Sequence, residues 1–171
     1  MNSLLLERLQ IAAGFLPVDL QTATTGLRTG DWVSMRHYGQ ILILLFKDQG
    51  TAGDDVTLTI QQATSASGGS AKGLDFTTLH SKLATDLFTV GQWTKNTQSA
   101  GSTFTSDDSG ENELMWAVEF DASELDVAGG FTFVRGSVND VGTNAQLGCM
   151  IYILGNPRYA EAPTSNPSVL V

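Results

Sequence analysis

Six consecutive apolar residues, Ile41 to Phe46, lie inside "WVSMRHYGQILILLFKD" and constrain the fold more than any other feature of the chain. A segment that is apolar on every side has to be covered on every side. A bilayer-spanning helix needs about 20 such residues, so this run is far too short to be one. It has the length of a strand whose sheet buries one face while something else covers the other. "LGCMIYIL" has the same character, with Leu147, Cys149, Ile151 and Ile153 on one face and Met150, Tyr152 and Leu154 on the other. The second cover is either a helix or loop of the same chain or another subunit.

From Asp31 onward the apolar residues recur with period 2, between clusters of Gly, Ser, Thr and Asp, which is a β rhythm. "DVTLTI" sets Val56, Leu58 and Ile60 against Thr57 and Thr59, and "ELMWAVEF" aligns Leu114, Trp116, Val118 and Phe120. "FTFVRGSV" carries Phe131 and Phe133 on one side, a further strand is expected from Leu74 to Ser81, and another starts at Trp93. Seven or eight short strands of this kind predict an all-β fold, an antiparallel β-sandwich that is jelly-roll-like.

The two ends depart from this pattern. Leu5, Leu6, Leu9, Ala12 and Ala13 share one helical face opposite Glu7, Arg8 and Gln10, with Ser3 available as N-cap, so residues 1–16 are expected to form a short helical segment. A helix so short needs something to dock on. Residues 17–155 form the sandwich body, and residues 156–171, with three of the four prolines and no periodicity, read as an extended arm.

Composition narrows the partners. At 171 residues the chain is long enough for one domain that buries roughly 70% of its unfolded surface. Nine Lys and Arg against 18 Asp and Glu give a net charge of −9, which repels phosphate backbones and anionic headgroups, so neither nucleic acid nor a membrane is an expected partner. The single Cys149 has no internal disulfide partner. "MNSLLLERLQIAAGF" interrupts its apolar run with Glu7 and Arg8 and is not read as an export signal.

Motifs for chemistry are weak. "GGSAKG" places Lys72 where a nucleophile elbow needs glycine, and it lacks the spacing of a phosphate loop, so a loop tip is the simpler reading. His37 and His80 have no second imidazole or thiol at ligand spacing. Asp107, Asp108, Glu111 and Glu113 crowd "SDDSGENE" without the order of a calcium loop, and are expected to form a solvated hairpin tip. Trp116 falls on the apolar face of its strand, whereas Trp32 and Trp93 are left as possible stacking platforms for a sugar. No catalytic residue, metal ligand or cofactor site is expected, and the chain is not read as an enzyme.

The stretches "GDWVSMRHYGQILILLFKDQGTAGDDVTLTIQQAT", "GQWTKNTQ", "LDVAGGFTFVRGSVNDVGTNAQLG" and "MIYILGNPRYAEAP" together resemble structural proteins encoded among the head genes of tailed bacteriophages, over residues 16–163. The resemblance implies a virion component, a minor capsid or decoration (cement) protein that sits on the outside of the shell, is assembled in the host cytoplasm and stabilises the major capsid protein lattice, often as a homotrimer. It carries over no catalytic residues. On this reading Leu5, Arg8 and Leu9 at one end and Arg158 and Tyr159 at the other are the expected partner contacts, Arg and Tyr being enriched at interface hot spots. The alternative is a carbohydrate-binding or receptor-binding module of a tail fibre.

Overall fold

The computed structural model describes residues 5–21, 28–139, 141–142, 144–159 and 168–170. Its eleven strands are β1 (Gln10–Asp19), β2 (Val33–Ser34), β3 (Tyr38–Lys47), β4 (Thr57–Ala63), β5 (Lys72–Gly73), β6 (Phe76–Ala84), β7 (Thr94–Gly101), β8 (Thr103–Thr105), β9 (Glu113–Asp121), β10 (Phe133–Val138) and β11 (Leu147–Pro157). They form two antiparallel sheets. Sheet A has the order β1-β11-β3-β9-β6-β7, and sheet B has the order β2-β10-β4-β5 with β8 also paired to β4. With the β5–β7 insertion set aside, the path crosses between the sheets at every step but one, from β4 to β8, which pair within sheet B; β1, β3, β9 and β11 lie in one sheet and β2, β4, β8 and β10 in the other, which is a jelly-roll path.

The alternating residues of the sequence make the core between the sheets. Ile41, Ile43 and Leu45 of β3 face Leu58 and Ile60 of β4 and Val134 of β10 across a single buried cluster that includes Trp116, Met150 and Tyr152. Trp116 is fully buried and meets the Phe104 ring edge-on, with centroids 5.0 Å apart. Burying each such side chain contributes about 1.5–3 kcal/mol. One polar link crosses this core, where the Gly136 amide donates to the Tyr152 hydroxyl at 3.0 Å. Close packing around this link requires glycine at position 30, where a Cβ would sit 2.6 Å from the Gly136 carbonyl oxygen.

The first segment is not the expected helix. Leu5–Glu7 make a single 3-10 turn, and from Gln10 the chain is strand β1, paired antiparallel with β11 from Gln10↔Leu154 to Asp19↔Leu147. Pairing with a distant strand overrides a helical periodicity that a short segment satisfies only marginally. β1 is an edge strand, so Pro17 and the two register shifts near Phe15 disturb its ladder at little cost and leave a poor template for stray pairing. At the other end β11 continues through Pro157, so residues 156 and 157 belong to the body. Residues 160–167 of the expected arm lie outside the described residues, and Ser168–Leu170 lie against the body: Val169 is 2% exposed and its carbonyl accepts from the Ser34 amide at 2.9 Å.

The acidic loop is also more integrated than a solvated tip. Asp107 and Asp108 are exposed, but Ser109 and Gly110 are buried and close one end of the sandwich. Ser109 Oγ accepts from the Val56 amide at 2.9 Å, and Asp55 accepts from the Gly110 amide at 3.0 Å. Beneath them Lys47, fully buried, donates from Nζ to the carbonyls of Asp48 (2.7 Å) and Gly110 (3.2 Å). Burial lowers its pKa to about 8 against the opposing pull of Asp48, Asp55 and Glu111.

Candidate interaction face

The two strands that are apolar on both sides, β3 and β11, lie side by side in the middle of sheet A. Their second faces point away from the core. The register lines up Ala13, Ile151, Leu44, Ala117, His80 and Lys95 in one row across six strands. A second row runs Ile11, Ile153, Leu42 and Glu119, and a third runs Cys149, Phe46, Met115 and Lys82. The face is therefore apolar on β1, β11 and β3, mixed on β9 with Met115, Ala117 and Glu119, and polar on β6 and β7.

This face keeps its access to solvent. Ile11, Phe46 and Leu147 are 52%, 44% and 57% exposed, and Leu42, Leu44, Ile151 and Ile153 between them remain half-buried. Two hollows mark its ends. One, of about 530 Å³, lies between Pro17, Phe46, Leu87, Phe88, Met115 and Cys149, with Lys82, Asp48 and Glu113 at its rim. Its wall includes the fully exposed Phe88 on a 3-10 turn capped by Asp86, whose carboxylate accepts from the Phe88 amide. Burial against these neighbours raises the Cys149 thiol pKa, which disfavours the thiolate. The other hollow, of about 330 Å³, is bounded by Leu9, Leu42, Ile153 and Gly155 on its apolar side and by Glu119, Asp121 and Glu124 on its acidic side.

The five expected contact residues fall at one end of this sheet. Pairing of Gln10 with Leu154 brings the segment 5–9 and the segment 158–159 out at the same end of β1 and β11. Leu5 and Tyr159 are each 69% exposed, Arg8 and Arg158 are exposed, and the Arg158 amide donates to the His37 carbonyl at 2.9 Å. Leu9 alone lines a hollow of the open face. Sequence reasoning did not name Ile11, Leu42, Leu44, Ile151 and Ile153 as contacts, although the double-sided apolarity of β3 and β11 was the signal for them.

The residues weighed for chemistry are scattered. Trp32 is 8% exposed and lies under the Arg135 guanidinium, 4.4 Å from the ring centroid, so it offers no open platform. Trp93 is 46% exposed beside His80 and Glu119, with Lys82 Nζ 5.2 Å from its ring. Lys72 pairs with Asp126 and sits 4.2 Å from the Phe131 centroid. Among the described residues no three His, Cys, Asp or Glu side chains are grouped to hold a metal ion, and Glu113 instead accepts from the Leu87 amide at 2.8 Å. Among the same residues no helix is long and apolar enough to cross a membrane.

Comparison with known proteins returns no match to a family model, a curated protein or a solved structure.

Proposed function

We propose that the chain is a structural protein of a tailed-phage virion, a capsid decoration protein whose copies associate through the open face of sheet A and whose Leu5–Leu9 and Arg158–Tyr159 end meets the major capsid protein. The observation that carries the reading is the row of Ile151 and Leu44 with its neighbours Ile11, Leu42, Phe46 and Ile153, a contiguous apolar surface bordered by Glu119, Lys82 and Lys95. An apolar centre with a charged rim is the anatomy of a protein interface. Such a face does not have to meet itself: docking on a different patch of the next copy closes a ring, and a homotrimer is the ring we propose. Several modest contacts of each copy with a shell then add through effective concentration. The role is mechanical and calls for no catalysis.

Native mass measurement of the full chain at tens of micromolar is the first test. A trimer is expected, and a strict monomer overturns the homo-oligomer. Density for the chain on the exterior of the head in a virion map is the second expectation, and its presence in the tail alone overturns the decoration role. One observation favours another reading, a carbohydrate-binding module: Trp93 is half exposed between His80, Glu119 and Lys82. Saccharide-dependent quenching of Trp93 fluorescence would establish it, and a flat response across a glycan panel removes it.

A further inference from the structure

We infer that Ser168–Leu170 is an exchangeable edge segment, and that the slot it fills beside β2 is a binding site for the same segment of a second copy of this chain. The inference goes beyond the role proposed above and does not depend on which surface the protein serves.

The argument begins with β2. It is two residues long and is paired on one side with β10, Ser34 against Phe133 and Val33 against Val134. On its other side the Ser34 amide is satisfied by the Val169 carbonyl. Without that partner sheet B would present an open edge, the usual template for recruiting a strand from another chain. Val169 adds a side chain that is 2% exposed and belongs to the main core, while Leu170 beside it is 46% exposed. The segment thus combines a main-chain bond with one inserted apolar residue, which is how extended peptides are recognised at sheet edges.

Attachment of this kind is easy to trade. Eight residues separate Tyr159 from Ser168, Pro163 and Pro167 among them, and eight residues reach at most about 29 Å. A tether of that length holds the chain's own segment near its slot at an effective concentration in the millimolar range. Copies held side by side supply a neighbour's segment at a comparable concentration. Own and foreign segments make identical contacts, so the free protein keeps its own while an assembly exchanges them, which ties copies together without any new surface.

A cross-linking experiment on the full-length chain tests this. In a Cys149→Ser background, Ser34→Cys and Leu170→Cys place thiols on the outward side of the slot and of its occupant and leave the inserted Val169 in place. Oxidation in dilute solution is expected to give monomers with an internal link. Oxidation of concentrated protein is expected to give chains linked to one another, in a proportion that rises with concentration. Internal links alone, in a sample whose native mass is oligomeric, overturn exchange and leave the oligomer standing. If the native mass is monomeric throughout, a second measurement decides: full-length chain carrying Val169→Asp is titrated with a fluorescent peptide of residues 166–171. Saturable binding, weakened about tenfold or more when the peptide itself carries the Val169→Asp change, supports the site. A folded variant that leaves the peptide unbound overturns it.

Discussion

The outward faces of the two sheets both carry large apolar side chains, and the chain treats them oppositely. On sheet B, Trp32 and Phe133 form a small cluster with Ala63, and cations of the same chain lie over the rings: Arg135 at 4.4 Å from Trp32, itself held by two bonds to Gln61, and Arg36 at 5.7 Å from Phe133. On sheet A, Ile11, Leu42, Leu44, Phe46, Ile151 and Ile153 have no comparable cover among the described residues and keep part of their surface accessible. The chain has the means to sheathe an apolar face with its own guanidinium groups, and it does so on one side of the sandwich. The uncovered side is then the one to match with a partner.

The largest expected effect comes from placing charge in the middle of the open face. Leu44→Arg combined with Ile151→Arg should weaken self-association by a hundredfold or more, as charges replace apolar contacts at an interface centre, with the melting temperature of the dilute protein changed by only a few degrees. Sedimentation velocity and calorimetry read the two quantities separately. Loss of the fold in dilute solution would mean that sheet A is covered within one chain and would erase the contrast between the faces.

A smaller effect concerns the closed end of the sandwich, where Lys47 is enclosed. Its folded pKa of about 8 lies below the ordinary lysine value, so between about pH 8 and 10.5 the unfolded chain binds more protons than the folded one. The Lys47 contribution to stability therefore rises with pH through this window, by about 2 kcal/mol at pH 9.5. Cys149, Tyr38 and Tyr152 have pKa values raised by burial and tilt stability the other way as they ionise. Denaturant titrations at pH 7.5 and 9.5 on the parent and on Lys47→Met isolate the lysine by difference, and parallel pH profiles would refute it.

The smallest effect tests the sheathed face. Arg135→Ala should cost about 1 kcal/mol and shift Trp32 emission to the red as water reaches the ring, while leaving association unchanged. A gain of self-association in this variant would show that covering the ring is what keeps sheet B from docking.

Much of this architecture is legible in the sequence. Val56, Leu58 and Ile60, or Leu114, Trp116, Val118 and Phe120, alternate because one sheet face is buried, and the same alternation with no polar side in β3 and β11 marks the open face. β1 escaped because Leu9, Ala12 and Ala13 fit a helical stripe locally, and only the distant β11 makes a strand of them. β2, β5 and β8 are two or three residues long and are defined by their partners, so no local pattern announces them. Lys47 next to Asp48 reads as the start of a surface turn; its enclosure depends on Gly110, far along the chain. Arg135 over Trp32 is a contact of the same non-local kind. The contact residues chosen from the two ends do share one end of sheet A, yet nothing in their own segments could point to Leu44 or Ile151.

The short β2 edge has a practical side. One small fitting protects that flank of sheet B, the Val169 carbonyl on Ser34. Stripping it away leaves raw main chain that other molecules can extend, so material clipped ahead of Ser168 should be prone to stacking edge to edge.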